Sequence, residues 1–204
     1  MIQADVVNGD TCDELWNELL KEADNIKNSY ELLAINKAPA VAATRKVYTE
    51  LGKDPGRYRV ASEALCRRII RGLGLYRLTT LIDVVNLVSI KSGYAISGLD
   101  FDKIEGDTLT LGVGEAGEVY NGIGRGALNI ENMPVYRDAI GGVATPTSDE
   151  ERTKFTPETT TVQININGYG PEMDMEDTVN LMVDLLKRYA QATNIQTSIV
   201  SNFD

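Results

Sequence analysis

Apolar residues recur at helical intervals near the start of the chain: Cys12, Leu15, Trp16, Leu19, Ala23 and Ile26 share one face. Thr11 and Glu14 have the spacing of a capping box, so a first amphipathic helix is predicted to open there. Pro39 suits the first turn of a second helix through Ala43 and Val47 to Leu51, with Gly52 to end it. Ser62 reads as the N-cap of a third, with Leu65, Cys66, Ile69 and Ile70 inward, Arg67, Arg68 and Arg71 more outward, and Gly72 and Gly74 as the stop. Thr79 to Ser92 is apolar on nearly every side and predicts a buried helix, in which Asp83 and Asn86 lie three residues apart on one face.

Beyond Gly93 the period changes. β-Branched runs at Thr108 to Val113, Asn129 to Tyr136 and Thr159 to Ile166 are separated by glycine-rich turns and predict strands. Met175 to Ala190 returns to helical spacing, with acids in its first turn and Lys187 and Arg188 in its last, and Ile195 to Val200 reads as a final strand. The predicted class is α+β (mixed α/β), a central sheet packed against helices. The 204 residues, 43% of them apolar, suit a single domain over 1–204.

Composition narrows the chemistry. The N-terminus shows no basic region followed by an apolar run, and no stretch approaches the roughly 18 apolar residues of a membrane helix, so a soluble, cytoplasmic protein is expected. Cys12 and Cys66 both fall where a helical pattern would bury them, as reduced thiols. The chain has no histidine. Ser-His-Asp and Cys-His nucleophiles, His-ligated zinc and an imidazole base are therefore excluded, leaving carboxylates, hydroxyls, Lys, backbone donors or the substrate itself.

The net charge of −10 argues against a protein that clings to phosphate backbones, but it is unevenly spread. Between Arg45 and Arg77 stand nine basic residues against three acids, a net +6 in an otherwise acidic chain. This stretch is either an RNA-facing surface or a set of solvated helix faces. The glycines of Gly122-Ile-Gly124-Arg-Gly126-Ala127 match a loose dinucleotide fingerprint, but Asn129, Asn132 and Pro134 do not continue a helix after it, so they are read as turns. No cofactor is expected. The acids have no metal-site spacing, so no metal is expected either.

One block carries a resemblance. Ile82-Asp83-Val84-Val85-Asn86, then Gly93, then Ser97-Gly98-Leu99-Asp100, then Asp100-Phe101-Asp102-Lys103-Ile104-Glu105-Gly106 resembles the V-D-x-x-N helix, glycine, H-A-F-D turn and D-x-D-K-I-x-G of the tRNA-editing (B3/B4) domain of the phenylalanyl-tRNA synthetase beta subunit. Leu51 to Leu65 is similar to stand-alone members of that family. With Asp138-Ala-Ile-Gly141-Gly142 and Asp149-Glu-Glu-Arg152-Thr153 the resemblance extends over roughly 45–170.

The family implies a sheet on helices with a pocket for an aminoacyl ester at the acceptor end of tRNA; in the synthetase that pocket removes tyrosine attached to the phenylalanine tRNA. Ser97 stands where the family has histidine, and Val85 where threonine commonly precedes the helix asparagine, so the substrate does not carry over. The expected function is a tRNA-binding or editing module that hydrolyses a mischarged aminoacyl-tRNA in trans, a deacylase without ligase activity. The alternatives are a non-catalytic RNA-binding or regulatory module and a binder of free amino acids. Asn86, Ser97 and Gly98 are the expected catalytic positions, although Asn86 also fits a buried amide joining helix to loop. Gly141, Gly142, Asp138, Asp149 and Thr153 are expected to bind substrate, and Arg57, Arg59, Arg67, Arg68 and Arg71 to meet RNA. Neither DNA nor a membrane is an expected partner, and the oligomeric state is left open.

Overall fold

The computed structural model describes residues 1–170 and 175–200. The chain opens with strand β1 (Ile2–Asp5), followed by helices α1 (Asp13–Ser29), α2 (Pro39–Glu50), α3 (Ala61–Ile70) and α4 (Thr80–Ser92). Strands β2 (Ala95–Asp100), β3 (Thr110–Val113), β4 (Asn121–Gly122), β5 (Gly126–Ala127), β6 (Pro134–Arg137), β7 (Gly142–Ala144) and β8 (Thr161–Asn167) come next, then helix α5 (Met175–Ala190) and strand β9 (Thr193–Thr197). The class is α+β. Strands pair in the order β2-β8-β1-β9 and, separately, β3-β6-β7, all antiparallel, with β4 and β5 as a short hairpin.

The four-stranded sheet has two unlike faces, and β8 shows why. In its sequence Thr-Val-Gln-Ile-Asn-Ile-Asn, period two sends Val162, Ile164 and Ile166 one way and Gln163, Asn165 and Asn167 the other. The register continues both rows across the sheet, pairing Ile2 with Ile164 and Ile96 with Ile166 on one face, and Ser97 with Asn165 and Leu99 with Gln163 on the other. The apolar face packs on the helices through Leu15 and Leu19 of α1, Val84, Leu87 and Val88 of α4, and Met182, Leu185 and Leu186 of α5. Each such side chain, fully buried, contributes about 1.5–3 kcal/mol. The opposite face meets the second sheet, where Leu99 clusters with Val143 and Ala144, flanked by Tyr136. Helix α2 covers that second sheet with Tyr48, which packs among Tyr120, Ile130, Met133 and Val135.

Several local expectations are corrected. No capping box forms at α1: its N-cap is Cys12 without a side-chain bond, because the Thr11 hydroxyl is drawn to Asp83 Oδ2 at 2.6 Å. Likewise α3 is preceded by Val60, while Ser62 lies inside the helix and donates to Gly93 O at 2.7 Å. Cys66 is buried as expected but Cys12 is exposed, since it stands at a helix end and not on the inward face. The Asn129 to Tyr136 run becomes a strand only from Pro134, after a turn in which Asn132 takes φ 62°. Ser97 to Asp100, expected as a turn, belongs to β2, where six consecutive residues are buried. The last strand is Thr193–Thr197, which starts two residues and ends three residues earlier than the expected Ile195 to Val200. Among the described residues no helix is long and apolar enough to cross a membrane.

Candidate functional site between the two sheets

Polar side chains are buried where the sheets meet. Gln163 Nε2 donates to Asn165 Oδ1 at 2.9 Å, and Asn165 Nδ2 reaches Ser97 Oγ at 3.4 Å. Asn167 Nδ2 donates to Ala95 O at 3.1 Å and Asn167 Oδ1 accepts the Tyr136 hydroxyl at 2.7 Å. Asn165 is fully buried and Ser97 nearly so. Nearby, the Tyr169 hydroxyl is buried without a partner among the described residues, and burial raises its pKa, with the fields of Tyr136 and Tyr48 adding to the effect. An unpaired buried amide or hydroxyl costs about 1–3 kcal/mol, and the bonds within this row spare its members that cost.

The segment Thr145 to Glu150 closes one border of this seam. Tyr48 and Thr147 share a hydrogen bond of 2.9 Å, Tyr120 donates to Ser148 O at 2.7 Å, and Ala61 N donates to Pro146 O at 2.9 Å. Ala144 and Asp149 form an isolated bridge at the end of β7. Asp149 Oδ2 then accepts the Gly98 N–H at 3.0 Å, on the edge of β2 that β8 leaves free. Burial pushes the Asp149 carboxyl up to about 7, against the stabilising hydrogen bond from Gly98. Gly98 is also where the Phe155 ring lies closest to the strand: a Cβ there would stand 2.5 Å from Phe155 Cε2. Gly98→Ala is expected to cost about 1–3 kcal/mol in a denaturant titration, and a loss below about 0.5 kcal/mol would show that the ring moves aside freely.

The expected site residues are only partly brought together. Ser97, Gly98 and Asp149 meet at the seam, but Gly98 N–H is already engaged by Asp149. Asn86 does not join them. It lies on α4 in the helical layer, across the sheet from Ser97, and its amide favours the Asp83 carboxylate one turn back. That carboxylate is raised by burial, and its Oδ2 is held by Thr11 and by Leu78 N at 3.1 Å. Asp138 is saturated: it accepts Arg152 at 2.9 and 3.0 Å and the N–H groups of Glu105, Ile140 and Gly141. Burial pushes its pKa up, but Arg152 and these backbone donors bring it below the usual range. Gly141 N is thereby spent on Asp138, Gly142 is buried in β7, and Thr153 is fully buried, its hydroxyl without a partner among the described residues.

The basic stretch is largely consumed inside the molecule. Arg45 and Arg67 both pair with the fully buried Glu63, at 2.9 and 2.7 Å. Arg67 is thus not outward. Lys53 donates to the carbonyls of Asn129 and Glu131, both at 2.8 Å, and burial lowers its pKa. Arg68 caps the carbonyls of Leu73 and Gly74 and stacks on Tyr76, while Arg77 binds Thr11 O and Asp13. Arg57, Arg59 and Arg71 are exposed and have no hydrogen bond or ion pair from their side chains among the described residues.

Sequence reasoning missed Gln163, Asn165, Asn167 and Tyr136. The alternation of amides with Val162, Ile164 and Ile166 is visible in the sequence, but by itself it reads as a strand with one solvated face, so nothing local marked the amides as buried.

An α+β arrangement of two sheets enclosing a polar seam, with a helical layer behind the first, is thus the setting of the candidate site. The chain belongs to the B3/4 domain family, whose model matches residues 43–198. A crystallised N-terminal fragment of the phenylalanyl-tRNA synthetase beta-subunit from Pyrococcus horikoshii is similar at 21% identity and a TM-score of 0.48, over 56% of this chain. The match spans 40% of that fragment. No curated protein matches the chain.

Proposed function

We propose that this protein hydrolyses the ester of a mischarged aminoacyl-tRNA, taking the acceptor end into the seam between its two sheets. The observation that carries the reading is the buried row Ser97, Asn165, Gln163, Asn167 and Tyr136, whose neutral donors and acceptors suit an amino acid and a ribose. Membership of the B3/4 family and the motif resemblance to a synthetase editing domain support it. The ester is intrinsically reactive, and the vicinal ribose hydroxyl helps hold water, so the protein has mainly to position the reactants. A separate hydrolytic pocket is useful because a synthetase discriminates near-isosteres by only about 10- to 200-fold. The test is a deacylation panel of correctly and wrongly charged tRNAs. Acceleration of one or a few over the spontaneous rate is expected, and no acceleration of any of them would overturn the reading.

The internal pairing of Arg45, Lys53, Arg67, Arg68 and Arg77 favours a second reading, a binder of free amino acids that ignores RNA. Arg57, Arg59 and Arg71 decide between them. Replacing all three with Glu is expected to weaken tRNA binding and to reduce the logarithmic salt slope by about 0.7 for each phosphate that is no longer neutralised. An unchanged slope, together with calorimetric binding of a free amino acid, would favour the second reading.

A further inference from the structure

Asp149, which is half-buried, differs from the other carboxylates held within the fold. Glu63 is paired with Arg45 and Arg67, Asp100 with Lys103, Glu118 with Arg137 and Asp138 with Arg152. Asp83 has the Thr11 hydroxyl and Leu78 N–H. Asp149 has no cation within ion-pair distance among the described residues: Oδ2 takes the Gly98 N–H, and Oδ1 has no hydrogen bond there. A half-buried carboxylate without a counter-cation is held less favourably than a paired one, yet its position is tightly determined. Its own carbonyl accepts Ile123 N at 3.0 Å, Glu150 N is tied to Val143 O at 2.9 Å, and Ser148 O accepts both Tyr120 and Thr145. Such a combination of cost and rigid placement marks a functional group.

Resting on the hydrolytic reading above, we propose that Asp149 is the general base of that reaction, with Oδ1 taking a proton from the attacking water at the border of the seam. Gly98, its anchor, directly follows Ser97, whose hydroxyl ends the buried amide row, so base and binding groups are held on adjacent residues of one strand. Water oxygen bonds to the ester carbonyl carbon as its proton passes to Oδ1, and the carbonyl electron pair moves onto oxygen. Collapse of that intermediate breaks the bond to the ribose oxygen, which recovers the proton from Asp149. The products are a free amino acid and tRNA with its hydroxyl restored, and water is the co-reactant.

The titratable groups that face Asp149 are acidic or neutral. Tyr120 senses its charge while donating to Ser148 O, and Glu150 accepts Arg152 N, whose guanidinium is committed to Asp138. Only the Gly98 N–H works against the burial that leaves the carboxyl near 7, where a base works best at neutral pH.

The experiment is single-turnover deacylation of the best substrate between about pH 5 and 9, with wild type, Asp149→Asn and Asp149→Glu. The wild-type rate is expected to rise about tenfold per pH unit and level off near 7, and Asp149→Asn to lose on the order of 10²- to 10⁴-fold together with the inflection. Asp149→Glu should recover part of the rate with a displaced inflection. An Asp149→Asn rate within about threefold of wild type, or a slower one with the inflection unmoved, overturns the proposal but leaves the hydrolytic reading standing. Absence of hydrolysis by wild type on every charged tRNA overturns both. Asparagine retains a carbonyl for Gly98 N–H, so folding should survive. If it does not, carbon-13 titration of the wild-type aspartates decides: a carboxyl titrating at the kinetic inflection supports the proposal, and none within about one pH unit of it refutes it.

Discussion

Replacing Glu63 with alanine should lower stability by about 3–5 kcal/mol, the range for removing one partner of a buried ionic group. Glu63 is fully buried on α3, and its two oxygens meet Arg45 of α2 at 2.9 Å and Arg67 one turn on at 2.7 Å. The same guanidinium groups also hold Pro55 O and Leu32 O, at 2.8 and 3.2 Å, so the carboxylate joins α2, α3 and the two connections beside them. Without it, two largely buried cations face each other with only carbonyls to stabilise them. For a chain of this size each kcal/mol shifts the melting temperature by about 2–4 °C, so a fall of roughly 6–20 °C is expected by calorimetry. A fall of under about 2 °C would show that water replaces the carboxylate without difficulty. The result also bears on RNA: Arg67→Glu would break this same junction, so any loss of binding it produced would report on folding.

The second large effect is on the pH dependence of stability. The Asp149 carboxyl is pushed up to about 7 by burial, whereas an unfolded aspartate titrates near 3.9. Between those values the native state holds a proton that the unfolded state has released, so stability falls as pH rises. The contribution is fully present below about pH 4 and gone above about pH 7, with a slope of at most about 1.4 kcal/mol per unit. Asp138, Glu18 and Glu118 have lowered pKa values and act in the opposite sense at more acidic pH. The difference between wild type and Asp149→Asn isolates the Asp149 part. Denaturant titrations at successive pH values should find the variant the more stable protein at pH 8, by up to several kcal/mol, and the advantage shrinking toward pH 4. Parallel curves would mean that the folded carboxyl titrates near its ordinary value. A substitution that stabilises the fold and stops the reaction is the signature of a strained functional group.

Helix and strand periods read correctly wherever one force dominated. The helix Met175–Ala190 was legible, because its apolar stripe, acidic first turn and basic last turn agree with one another. The end of α2 at Gly52 and of α4 at Gly93, both with positive φ, was equally plain. What failed were local signals whose partners lay far along the chain. Thr11 had the right neighbour for a capping box, but Asp83, 72 positions away, competes for its hydroxyl. Ser62 is diverted in the same way by Gly93, 31 positions on. Arg67 looked solvated because nothing nearby in its pattern shows that Glu63 is fully buried.

At the site, the resemblance led to the segment holding Ser97 and Gly98 and to Asp149, which the fold joins through one hydrogen bond. It did not separate the two sides of the sheet. Asn86 and Ser97 are 11 positions apart and both polar in apolar surroundings, yet β2 turns one away from the layer that holds the other. Only the pairing register, which no single segment encodes, shows this.

The alternation along β8 gives the protein two interiors that meet at a single strand. Val162, Ile164 and Ile166 answer to the helices, while Gln163, Asn165 and Asn167 answer to the seam between the sheets. Residues with no shared partners contribute nearly additively, whereas members of one hydrogen-bonded row do not. Variation in the helix-facing residues can therefore raise or lower the robustness of the fold while the amides diverge on their own schedule. A lineage carrying this architecture is free to remodel the polar seam at the odd-numbered positions of β8 without rebuilding the core behind it.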